Sequence, residues 1–212
     1  MEASQEPRNV KIGSDERTGW SSDRPRREGA PVRPPDVSVR GRVLRPTDRL
    51  RYSPGSLLVV VSASKETRDA FIARVVEARG SVISLDRVRG LLAGRVPDEE
   101  IEDRAIELLD ATVAKRVAGG DSTVIGADGL EPEEREHYVR LAAPARRPRH
   151  LILLEVPNAD VDDEQRPQLN TLRRALDGGA LGGEGFHTAL RLSTGSAAEV
   201  KRVVFRPEPR VD

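Results

Sequence analysis

No cysteine occurs among the 212 residues, which excludes disulfides, thiolate metal ligands and a cysteine nucleophile. Histidine is scarce: His137, His150 and His187 stand apart with no ligand spacing, so no metal held by the protein alone is expected. An excess of either charge is missing too. With 35 basic and 35 acidic side chains the chain offers no overall field to attract nucleic acid or an anionic membrane, and such a partner has to be met locally. No apolar run approaches the ~18 residues of a membrane span, and no apolar segment follows the N-terminal charges, so a soluble, cytoplasmic protein without a membrane partner is expected. Aromatics make up only 3% of the chain, which leaves the core to Leu, Val, Ile and Ala.

What is present divides unevenly. Residues 1–52 are rich in Arg, Pro, Ser and Gly, with few large apolar side chains and no period, and are expected to form a disordered arm. The stretch RPRREGAPVRPPDVSVRGRVLRPTDRLR makes the arm locally basic. A solvated linker is one reading of it, and a contact with phosphates or an acidic partner is the other. At Pro54 and Gly55 the texture changes, and the folded domain is expected over residues 53–212.

The run SLLVVVSAS has the continuous apolar character of a parallel strand covered on both faces. Residues 66–79 carry apolar positions suited to a helix closed by Gly80, SVIS reads as a second strand, and a helix is expected over 98–118, stopped by Gly119 and Gly120. STVIGAD, a helix opening at Pro132, HLILLEV and a helix within 160–177 continue the alternation, and HTALRL and KRVVFRP read as two last strands. Such alternation predicts an α/β fold of three layers, a parallel sheet between helices.

Ligands of such sheets bind beyond the carboxyl ends of the strands, which directs attention to the first strand-to-helix connection, VSASKETRDAF. A phosphate-binding loop reads G-x-x-x-x-G-K-[ST], with backbone N–H groups around the phosphates, a lysine on the β/γ oxygens and a hydroxyl on magnesium. Over residues 62–69, Ser62 and Thr67 stand in the glycine positions, Arg68 in the lysine position and Asp69 in the hydroxyl position; Ser64 lies within the loop. Thr67 resists the positive φ open to glycine, and Asp69 sets a carboxylate where phosphates would gather. An ordinary strand-to-helix turn is the plain alternative.

Taken with VISLDRVRG and AIELLDATVAKRVAGGDSTVIGADGLEPEEREHYVRLA, the stretch PGSLLVVVSASKETRDAFIAR resembles the bacterial polynucleotide-kinase-like branch of P-loop kinases, often labelled AAA-type ATPases. The resemblance covers residues 53–157 and persists more loosely to Phe205. It implies a P-loop NTPase-like domain. Its Asp-x-x-Arg unit falls on Asp86 and Arg89, with Asp86 as the candidate base toward an acceptor hydroxyl and Arg89 holding an acceptor phosphate; an exposed pair at a helix start, with Asp86 as its cap, is the alternative. The family's Asp-led tetrad falls on Gly126, Ala127, Asp128 and Gly129 without its leading aspartate, leaving Asp128 as the candidate magnesium contact. Lid arginines that clamp the γ-phosphate correspond to Arg166, Arg173 or Arg174.

The cofactors so implied are ATP and magnesium, if the loop still grips phosphate. Because phosphoryl transfer rests on positioning and charge stabilisation, erosion of the ATP side predicts a pseudokinase with weak or no transfer and a binding or regulatory role. Its partner would be a phosphorylated ligand, a nucleic acid or a protein. Two alternatives stand beside it: an active polynucleotide-kinase-like phosphotransferase with an unorthodox loop, and an interaction protein working through its basic arm.

Overall fold

The centre of the molecule is the strand β3 (Leu57–Ser62), all six of whose residues are buried because both faces of the sheet are covered. The structure, a computed structural model, describes residues 42–43, 49–127 and 130–206. Leu57, Val59 and Val61 enter one core cluster and Leu58 and Val60 the other, as the period of two requires. Around β3 the chain lays down β1 (Arg42–Val43), β4 (Val82–Ser84), β5 (Thr123–Ala127), β6 (Arg149–Leu154) and β7 (Thr188–Leu192). Their order is β1-β7-β6-β3-β5-β4, with every pairing parallel. This is the three-layer α/β fold, a parallel sheet between helices, expected from the alternation of strand and helix.

The chain runs from β3 outward to the edge at β4, returns to β5 beside β3, and then crosses to β6 on the other side of β3. That reversal places a switch point at the carboxyl end of β3, where open parallel sheets bind ligands. Helices α1 (Lys65–Val75), α2 (Leu85–Leu92), α3 (Ile101–Gly119), α4 (Pro132–Ala142), α5 (Arg166–Asp177) and α6 (Thr194–Glu199) supply the covering layers. None of the described helices is long and apolar enough to cross a membrane.

Several boundaries differ from those expected. Residues 1–41 of the expected arm lie outside the described residues, but Arg49–Tyr52 forms β2, which pairs in parallel with β8 (Arg202–Phe205) as a separate two-stranded sheet. The boundary at residue 52 therefore leaves this strand on the side of the arm, apart from its partner β8. Leu50 and Tyr52, an i, i+2 pair, are buried at 4% exposure each, a pattern too short to stand out among arginines. KRVVFRP is a strand as expected, though in that second sheet. Helix α1 ends at Val75 rather than near Arg79. Val76 bridges Val203, so tertiary pairing takes over at a β-branched residue, and Gly80 lies in a 3-10 turn instead of capping a helix. Helix α2 follows directly on β4, its start set by Ser84, whose Oγ accepts from the Arg87 N–H. Asp86 is thus inside the helix and is not its cap.

Candidate functional site

Between β3 and α1 only Ala63 and Ser64 intervene. Residues 62–69 are therefore the last strand residue, a two-residue turn and the first turn of a helix, because Ser64 caps α1 by accepting from the Thr67 N–H at 3.1 Å. Three of the turn's N–H donors, at 64, 66 and 67, are taken by its own side chains. Ser62 Oγ accepts from the Ser64 N–H at 3.2 Å while donating to the Leu154 carbonyl at 3.1 Å, which ties β3 to β6. Glu66 accepts from its own backbone N–H and from the Ser64 hydroxyl, and these bonds hold its carboxyl below the usual range.

Arg68, which stands in the position of the phosphate-binding lysine, turns inward. Its side chain is 1% exposed, Nε donates to Asp69 Oδ1 at 2.9 Å, and Nη1 donates to the Ala127 carbonyl at 2.7 Å. It passes over Gly126 so closely that a Cβ there would lie 2.9 Å from Nε. The volume that a side chain at position 126 would take is filled by the arginine. Asp128 lies outside the described residues.

Asp86 and Arg89 do lie at this edge and within reach of each other, Arg89 Nη1 donating to Asp86 Oδ1 at 2.9 Å. Two partners absent from the sequence reading join them. Lys65, the first residue of α1, sets Nζ 2.5 Å from Asp86 Oδ2, and Arg89 grips Glu102 of α3 through two bonds of 2.6 and 2.7 Å. The result is an alternating row of two cations and two anions. The bond from Lys65, followed by that from Arg89, holds the Asp86 carboxyl below the usual range even though partial burial works the other way. A carboxylate so stabilised is a poor proton acceptor, and three of the five guanidinium N–H groups of Arg89 already face carboxylates.

The lid candidates are also engaged. Arg166 pairs with Asp163 at 2.8 Å and donates to the Asn158 and Val161 carbonyls, closing the turn before α5. Arg173 forks onto Glu155, just past the end of β6, and Arg191 of β7 reaches the same carboxylate at 2.5 Å and Asp177 at 3.1 Å. Burial pushes the Glu155 carboxyl up, but the two guanidinium groups outweigh it and hold the group ionised. Glu155 was concealed in the sequence as the tail of HLILLEV; a carboxylate ending an apolar run is a signal for a strand's carboxyl end. Lys65 was concealed by the eight-residue template, which assigned the cation to position 68, whereas the capping serine marks position 65 as the helix start.

The residues present therefore do not fit ATP and magnesium in the mode of a phosphate loop: Glu66 and Asp69 flank the turn, its N–H groups at 64, 66 and 67 are taken, and Arg68 is buried. Among the described residues no group of three or more His, Cys, Asp or Glu is placed to hold a metal ion.

No protein-family model matches the chain, and no curated protein does. Among solved structures, it is similar to the tunicamycin resistance protein of Deinococcus radiodurans, with 15% identity over 64% of this chain and 85% of that one and a TM-score of 0.37. At that level of superposition nothing about the site follows from the likeness, and the fold rests on the strand order described above.

Proposed function

We propose that the chain is a cytoplasmic kinase-like protein that has given up phosphoryl transfer and serves as a binding or regulatory module for a phosphorylated ligand, a nucleic acid or a protein. One observation carries the reading. The strand-to-helix turn is closed by its own Ser62, Ser64 and Glu66 side chains, with Arg68 withdrawn beneath Gly126. Phosphoryl transfer depends almost wholly on a cradle of donors and cations around the γ-phosphate, and here the N–H groups at 64, 66 and 67 are taken and the cations paired.

Titration of the full chain with ATP and magnesium in a calorimeter tests this. No saturable heat is expected up to millimolar nucleotide, and no labelled phosphate should pass to 5′-hydroxyl oligonucleotides. Binding in the micromolar range that disappears in Lys65→Met would overturn the proposal, because it would mean that the α1 lysine leaves Asp86 to grip nucleotide.

A further inference from the structure

On the α1 side of the sheet no helix among the described residues covers the edge strand β4. Ile83 joins the core with Val88, Ala105 and Leu109 of α2 and α3, so Val82 and Ser84, one residue to either side, point to the opposite face. There they meet Asp69, Ile72, Ala73 and Val76 along one side of α1, and a groove of about 400 Å³ remains between strand and helix. Its volume falls within the ~300–1,000 Å³ of small-molecule sites. The walls are mostly apolar, from Ile72, Ala73, Val76 and Val82.

Two guanidinium groups border the apolar wall. The guanidinium of Arg79, in the 3-10 turn after α1, makes no hydrogen bond or ion pair among the described residues. The guanidinium of Arg87 of α2 has, among the described residues, only a 3.5 Å contact with the Val82 carbonyl at the strand's edge. The groove's one carboxylate, Asp69, is already matched by Arg68. The charge left for a ligand is positive, and it adjoins a surface suited to a flat ring.

We infer that this groove binds a small organic anion with a flat apolar body, an aromatic carboxylate, sulfonate or phosphate. The acid group pairs with Arg79 and Arg87, and the ring lies on Ile72, Val76 and Val82. Guanidinium suits such acids because its planar fork meets two oxygens at once. The groove lies to the side of the Lys65, Asp86 and Arg89 row, and the inference holds whether or not the chain binds nucleotide.

The probe is 8-anilinonaphthalene-1-sulfonate, titrated by fluorescence into the folded full chain, with its uncharged counterpart N-phenyl-1-naphthylamine for comparison. One saturable site is expected, weaker for the neutral compound. The double variant Arg79→Gln, Arg87→Gln should lose about tenfold or more in sulfonate affinity while keeping the neutral compound's affinity. Ala73→Trp, at an exposed position of α1, should abolish binding of both by filling the groove, with the circular dichroism and denaturation midpoint of the native chain. Sulfonate affinity unchanged in both variants, or equal affinity for the charged and neutral compounds, would overturn the inference.

Discussion

Gly126 and Arg68 act as one unit. A methyl group at position 126 meets Arg68 Nε at 2.9 Å and Ile72 Cδ1 at 3.3 Å, neither of which can retreat within a packed interior. Gly126→Ala is expected to cost about 1–3 kcal/mol in urea denaturation. Combined with Arg68→Met it should cost less than the two single changes summed, since a thioether yields where a bonded guanidinium does not. At the opposite end of the sheet, His150 lies between Thr188 Oγ1 at 2.7 Å and Ser56 Oγ at 3.3 Å, beneath the Tyr52 ring. Burial, with His187 and Arg149 nearby, pushes it down to about 4 from 6.5. Between those values the unfolded chain takes up a proton that the folded chain refuses, so stability is full above pH 6.5 and falls as the pH drops toward 4. The loss is about 3 kcal/mol. His187 is shifted in the same direction and adds to the slope. Denaturation midpoints measured from pH 7.5 to 4.5 should show this decline, largely flattened in His150→Phe.

At the scale of elements, Glu155 joins three of them: it ends β6 and holds Arg173 of α5 and Arg191 of β7. Its side chain is 12% exposed and that of Arg173 17%, so removing the anion strands a half-desolvated cation. Glu155→Ala is expected to cost about 2–4 kcal/mol by chemical denaturation, and Glu155→Gln, which keeps an acceptor, less. The expected helices and strands were mostly legible because apolar runs bounded by Gly and Pro leave little choice. Where they failed, pairing between distant segments decided. Val76 leaves its helix because Val203 is beside it, and RLRY is a strand because β8 lies alongside.

For the whole molecule, the pairing of β2 with β8 means that the folded unit begins before residue 53. A chain shortened to residues 53–212 exposes the surface now covered by Leu50 and Tyr52, about 3–5 kcal/mol of apolar burial, and is expected to melt well below a chain of residues 42–212 in a calorimetric scan. Equal melting temperatures would show β2 to be dispensable. The sequence by itself determined the parallel α/β architecture, because buried strands covered on both faces must read as unbroken runs of Leu, Val and Ile. It also placed Asp86, Arg89 and the first strand-to-helix turn at the sheet's carboxyl edge, since crossover connections bring every strand end there. Only the tertiary structure decided what those groups face. Asp86 meets Lys65, Arg89 meets Glu102, Arg173 meets Glu155, and Arg68 enters the space left by Gly126. A charge finds its partner through space, across elements up to tens of residues apart, and local sequence carries no record of that distance.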